Sequence, residues 1–223
     1  MHAFSTDDLL EALDDLGLAA TKAGQRLELV VYGGSALMLA GNFRFSTEDV
    51  DIAAIELPWP QWLTDAVRDI SEEKGWSETW LNDAVAFHLS QFADLQEDHM
   101  IFGSFPRNFG PAGLVVHVPN APYMLALKLK AMRVNDPAKG EVETADIENL
   151  LQVNNIASID EAIAVLARYF PRSAQEPDMQ RFVLRHIFAR LNASPPKEDK
   201  NAPAYPVASG HAPENRAARK SHP

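Results

Sequence analysis

The run Glu28 to Tyr32 (ELVVY) is short and β-branched, and it stops at two consecutive glycines, Gly33 and Gly34. This feature restricts the fold most. Such a run reads as a buried strand ending in a tight turn. Ser35 follows at the head of an apolar stretch, so the turn should feed a brief helix, Ser35 to Ala40. Glycines let a backbone come close to an anion, and a helix N-terminus adds free N–H groups and a positive dipole end, so phosphate is the expected guest of this turn. By itself a Gly-Gly turn with a Ser cap is also an ordinary structural connection.

The rest of the chain divides into a mixed half and a helical half. Leu9, Leu10, Leu13, Leu16 and Leu18 recur at near-helical spacing behind the cap candidates Ser5 and Thr6, which predicts an amphipathic helix over Asp7 to Ala23. Asp49 to Ile55 reads as a strand, Trp59 to Lys74 as a helix, and Val85 to Leu89, His99 to Phe102 and Leu114 to Val118 as short strands. After Pro119 the pattern is helical: Pro122 to Val134, Thr144 to Val153, Ser158 to Tyr169 behind a Ser158/Glu161 capping box, and Pro177 to Leu191. From Ala193 the chain is rich in Pro, Ala, Asn and charge with few large apolar residues, the composition of a disordered tail. The expected fold class is therefore α+β, with an α/β part over residues 1–119, a helical part over 120–192 and a tail over 193–223.

Composition narrows the function. With 46% hydrophobic and 23% charged residues the chain is ordinary globular material, and with no cysteine it has no disulfide, thiolate metal site or thiol nucleophile. The start MHAFSTDDLLEALDD places acids where a signal peptide needs basic residues, and the most apolar stretch, Leu27 to Ala40, is too short to span a bilayer, so a cytoplasmic protein without a membrane span is expected. The net charge is −11, and the tail's five Lys/Arg against three acids leave −13 on the first 192 residues. That balance disfavours a general nucleic-acid coat while leaving room for one cleft acting on an RNA end.

Chemistry concentrates in two further places. In Glu48-Asp49-Val50-Asp51 the carboxylates of Asp49 and Asp51 share one face of a strand while Val50 points to the core. Two such acids repel when alone and suit Mg²⁺, which takes hard oxygen ligands and bridges nucleotide phosphates; an exposed acidic strand edge and the D-x-D strand of glycosyltransferases are the alternatives. On the helix from Pro122, the apolar arc of Leu125, Leu127, Leu129, Ala131, Met132 and Val134 has Lys128 near its centre, with Lys130 and Arg133 on the polar side. A lysine there must snorkel, lose its charge or meet a carboxylate or phosphate. Asp146, beside Ile147, Leu150 and Leu151, is a candidate to orient it. Arg44 can reach a phosphate or pair with Glu48, Asp83 is a candidate third acid, His117 reads as a satisfied core histidine, and His88 and His99 lack metal-ligand spacing. No P-loop, G-x-G-x-x-G, G-x-S-x-G or H-E-x-x-H motif occurs.

The ordered set of a strand, Gly33-Gly34-Ser35, thirteen residues and Asp49-Val50-Asp51 resembles the signature of the DNA polymerase β-like nucleotidyltransferase superfamily. YMLALKLKAMR (Tyr123 to Arg133) and ADIENLL (Ala145 to Leu151) are similar to the helical motifs of abortive-infection nucleotidyltransferase toxins of the AbiEii type and related bacterial proteins. The resemblance covers roughly residues 28 to 152. It implies a small mixed sheet bearing the metal acids, flanked by helices, and a helical part closing a nucleotide cleft. Gly33, Gly34 and Ser35 with Arg44 would hold the NTP phosphates, Asp49 and Asp51 the Mg²⁺, Lys128 the phosphates or the acceptor, and Asp146 would support that lysine. The acceptor would be a tRNA end, a protein or a small molecule, and an antitoxin protein a partner. The departure is the third carboxylate, since Leu114 to Val118 offers His117 and no acid. A catalytically degenerate module that binds a nucleotide or a partner with the same fold is the competing expectation.

Overall fold

A computed structural model describes residues 3–41, 43–54, 58–108, 110–132 and 140–193. The segment 193–223 read from composition as a tail therefore lies outside the described residues except for Ala193, as do Ile55, Arg133 and Val134.

Strand β1 (Phe4–Ser5) leads into helix α1 (Thr6–Lys22), whose N-cap is Ser5. Its hydroxyl accepts from Asp8 N, and the Asp8 carboxylate accepts from Ser5 N at 2.8 Å, so two otherwise orphaned donors are satisfied. Next come β2 (Leu27–Val31), α2 (Gly33–Gly41), β3 (Ser46–Thr47), β4 (Val50–Ala54), α3 (Gln61–Lys74), β5 (Leu81–Asn82), a 3-10 helix (Ala84–His88), β6 (His99–Phe105) and β7 (Leu114–Pro119). Helices α4 (Ala121–Ala131), α5 (Gly140–Val153), α6 (Ile159–Tyr169) and α7 (Asp178–Ala193) complete the described chain. The sheet is mixed, in the order β5-β4-β2-β7-β6: β2 is antiparallel to β4 and parallel to β7, β4 is parallel to β5, and β6 is antiparallel to β7. β1 and β3 form a separate antiparallel ribbon.

One apolar core runs through both halves of the chain. β2 and β7 are the most deeply buried strands, and α1 lies against β6, β7 and α3. The α1 contact is close because Gly17 has no side chain: a Cβ there would lie 2.4 Å from the carbonyl carbon of Phe105, and one on Gly113 would lie 2.3 Å from the Gly17 carbonyl oxygen. α4 packs on α5 and α6, and α6 on α7. Phe4 stacks on Trp76 at 4.4 Å, which ties the β1–β3 ribbon to the end of α3. Among the described residues no helix is long and apolar enough to cross a membrane.

Two sequence expectations need correction. Val85 to Leu89 is not a strand: Val85 to His88 belong to the 3-10 helix and Leu89 caps it, because the Asn82 side chain accepts from Ala84 N at 3.1 Å and starts a turn that Ala86 N continues by donating to the Asp83 carbonyl. Lys130 is not simply on a polar face. Its ammonium donates to the His88 carbonyl at 2.8 Å and sits 4.4 Å over the Phe170 ring, so it clasps that 3-10 helix to α4, and burial lowers its pKa. α5 also begins earlier than Thr144, at Gly140.

A polar network joins the 83–98 connection to the helical half. The buried Asp98 carboxylate accepts from Tyr169 OH (2.7 Å), Arg168 Nη2 (2.8 Å) and Asp94 N (2.9 Å). Beside it, His99 Nδ1 meets the Asp94 carbonyl and Nε2 meets Tyr32 OH, each at 3.0 Å. A carbonyl can only accept, so Nδ1 carries a proton, and in the neutral ring Nε2 accepts from Tyr32 OH. Burial accordingly holds His99 below its ordinary pKa of 6.5. The unfolded chain then binds a proton that the folded chain does not. The stabilisation is complete above pH 6.5 and declines as pH falls below it toward the folded-state pKa. Between about pH 7.5 and about pH 5.5 the melting temperature of His99→Gln should fall less than that of the wild type. Parallel profiles for the two proteins would show that His99 does not carry this dependence.

Candidate functional site

The site is organised by the first turn of α2. The first intrahelical donor is Ala36 N, which bonds Tyr32 O at 3.2 Å, so the N–H groups of Gly33, Gly34 and Ser35 precede the helical ladder. Each glycine is required for a different reason. Gly33 has φ +65°, and a Cβ on it would stand 2.7 Å from Asp51 Oδ2. At Gly34 the cause is steric alone: a Cβ would stand 2.6 Å from Arg44 Nη1. Consecutive backbone positions thus carry a carboxylate on one and a guanidinium on the next.

Ser35 is buried, and its hydroxyl donates to the Asp49 carbonyl at 2.6 Å, joined there by Thr47 Oγ1 at 3.1 Å. That hydroxyl ties the start of β4 to the turn. Tyr32 N donates to Asp51 O at 2.8 Å and sets the two strands in register. Asp49 precedes β4 and is exposed, whereas Asp51 lies within it and is half-buried. Asp51 is the register partner of Asn82, so the residue beside it on β5 is an amide, and Asp83 comes one position later, exposed.

Arg44 does not pair with Glu48, which is exposed. Its Nε lies 3.1 Å from both oxygens of Asp146, and Nη2 bonds Asp146 Oδ2 and, at 3.3 Å, Glu143 Oε1. Lys128 sits on the same acids: Nζ is 3.1 and 3.0 Å from the two Glu143 oxygens and 2.8 Å from Asp146 Oδ2. Side-chain exposures of 18% for Arg44, 9% for Lys128, 9% for Glu143 and 2% for Asp146 make this a buried set of two cations and two anions. Its mutual pairing is what permits burial. Lys128 Nζ donates to both Glu143 oxygens and forms an ion pair with Asp146, so in this arrangement it contacts carboxylates.

Glu143 falls outside the helix expected from Thr144 because α5 begins four residues earlier, at Gly140. Extending that helix backward places Glu143, Asp146, Ile147, Leu150 and Leu151 at i, i+3, i+4, i+7 and i+8, all buried. On α4, burial of Tyr123, Met124, Leu125, Ala126, Lys128 and Leu129 encloses the helix on most sides, while Ala131 of the expected apolar arc is exposed. His117 departs from the satisfied-core reading. It is 9% exposed, its Nε2 stands 3.5 Å from Glu28 Oε2, and that nitrogen makes no hydrogen bond to a described residue. β7 supplies no carboxylate. No group of three or more acidic, His or Cys side chains disposed to hold a metal occurs among the described residues.

Fold and site together define an α+β protein with a mixed five-stranded sheet, in which a strand–Gly–Gly–helix turn meets an acid on the neighbouring strand and an arginine held by the helical part. No protein-family model matches the chain, and no curated protein matches it. Among solved structures it is similar to an antigenic nucleotidyltransferase-like protein from Paracoccidioides brasiliensis, at TM-score 0.42 and 14% identity, over 80% of this chain and 95% of that one.

Proposed function

We propose that this protein is a Mg²⁺-dependent nucleotidyltransferase that moves a nucleoside monophosphate from an NTP to an acceptor hydroxyl. The observation that carries the reading is the juxtaposition at the first turn of α2, with the Asp51 carboxylate against Gly33 and the Arg44 guanidinium against Gly34. A metal–triphosphate presents a cation and an anion side by side, and this turn offers a ligand for each beside uncommitted N–H groups. Asp49 and Asp51 would hold Mg²⁺, an ion that keeps several waters and needs few protein ligands; when bound it supplies charge stabilisation at the reacting phosphate. The acceptor oxygen bonds to the α-phosphorus, the bond to the leaving pyrophosphate breaks, and the hydroxyl proton passes to solvent or a base. The helical residues 120–192 would close the cleft, with Asp146 and Lys128 supporting Arg44.

The acceptor class is a tRNA end, a protein or a small molecule, and the chain's acidity favours a cationic small molecule or a protein. The resemblance in the helical motifs supports a cytoplasmic toxin paired with an antitoxin protein. A second reading, a degenerate nucleotide-binding or partner-binding module, is favoured by one observation: β7 has no acid, so a carboxylate base for the acceptor is missing there. Incubating the purified protein with each labelled NTP, Mg²⁺ and either total tRNA or lysate separates the two, because only an enzyme moves label onto another species. Asp49→Asn together with Asp51→Asn should abolish Mg²⁺-dependent ATP or CTP binding while a cooperative melting transition is kept. Metal-dependent binding that survives in that double variant would refute the site.

A further inference from the structure

We infer that Glu143 is a positioning residue that, with Lys128, aims Arg44 at a phosphate, an inference resting on the reading of the α2 turn as a phosphate site. Guanidinium is a planar fork with two usable edges. In Arg44 the Nε/Nη2 edge is fully engaged, by both oxygens of Asp146 and by Glu143 Oε1. Nη1 makes no hydrogen bond to a described residue and lies 2.6 Å from where a Cβ on Gly34 would stand, in the first turn of α2. The carboxylates therefore determine which edge faces the turn.

Glu143 is the shared piece of this arrangement. Its Oε1 accepts from Arg44 at 3.3 Å and from Lys128 at 3.1 Å, while Oε2 accepts from Lys128 at 3.0 Å. Lys128 thus fixes the carboxylate, and the carboxylate fixes Nη2. Lys128 acts through Glu143 and Asp146, and of these two described cations Arg44 is the one placed to meet the ligand. Such positioning has a signature that runs against simple Coulombic expectation. Neutralising a carboxylate near an anion site should tighten anion binding if charge alone counts, and should weaken it if that carboxylate orients the cation that meets the ligand.

The test is calorimetric titration of the full-length protein with inorganic tripolyphosphate at constant Mg²⁺, with melting temperatures recorded in parallel. Glu143→Gln should weaken binding by about tenfold or more, and Glu143→Asp, which keeps the charge, should recover part of that loss. Arg44→Lys, which keeps the positive charge and lacks the fork, should lose as much as Glu143→Gln. Equal or tighter binding by Glu143→Gln, or wild-type affinity in Arg44→Lys, would overturn the positioning role while leaving the phosphate turn intact. If Glu143→Gln does not fold, Glu143→Asp and Arg44→Lys decide. Failure of the wild type itself to bind the probe, or unchanged binding in Gly34→Ala, would instead remove the phosphate reading and this inference with it.

Discussion

Replacing Lys128 by Met is expected to cost about 3–5 kcal/mol of stability, the scale for removing one partner from a buried ionic set. The stem would be replaced by a side chain of similar volume, so packing changes little. The loss comes from charge: Glu143 and Asp146, served among the described residues by Arg44 alone, would be two buried carboxylates facing one cation. Adding Glu143→Met should recover most of it, because the remaining Arg44–Asp146 pair is balanced and its geometry is already complete. Urea denaturation of the single and double variants measures this directly. A single variant as stable as the wild type would mean that Lys128 reaches water, and a double variant no better than the single would mean that the penalty is packing.

Gly17→Ala is the second change with a large expected effect, and its sign is set by a contact and not by the helix. In an exposed helix interior this substitution stabilises by about 1 kcal/mol. Here the new methyl group would stand 2.4 Å from the carbonyl carbon of Phe105, 2.5 Å from its oxygen and 2.6 Å from Pro106 N. Backbone atoms cannot swing aside as a side chain can, so α1 must back away from β6 and loosen the core behind it. A loss of about 3 kcal/mol is expected, the upper range for overpacking. Gly24→Ala is the useful comparison, because Gly24 has φ +66° and open space where a Cβ would go, so it reports backbone strain alone. A Gly17→Ala protein that melts at or above the wild-type temperature would show that the helix–sheet contact is softer than its geometry.

Much of the fold could be read before any coordinates because local patterns and tertiary needs agree. The Leu9–Leu13–Leu16 stripe, the β-branched Val30 and Val31 and the caps at Ser5 and Ser158 satisfy short-range and long-range requirements together. The 3-10 helix at Ala84–His88 was misread because its Val-Ala-Phe-His-Leu alternation imitates a strand, while the Asn82 turn and the Lys130 clasp decide its conformation. In the site, Gly33, Gly34, Ser35, Arg44, Asp49, Asp51, Lys128 and Asp146 could all be singled out by type and spacing. What each touches could not. Ser35 spends its hydroxyl on the Asp49 carbonyl, and Arg44 pairs across 99 and 102 positions with Glu143 and Asp146.

The sequence by itself determined an α+β chain with a strand that enters a helix through two glycines, an acid pair at the head of the next strand, and a lysine near the centre of an apolar helix face that must snorkel, lose its charge or meet a partner. Those are properties of neighbours along the chain, where spacing of two or about 3.6 residues settles which side chains share a face. Only the tertiary structure decided that the lysine's partners are Glu143 and Asp146, that a side chain on Gly34 would meet an arginine and one on Gly33 would meet Asp51, and that His117 Nε2 has no hydrogen-bond partner among the described residues. Charge pairing across about a hundred residues is selected by how the sheet and the helices close on each other, and a buried charge accepts whichever opposite charge the packed core delivers to it.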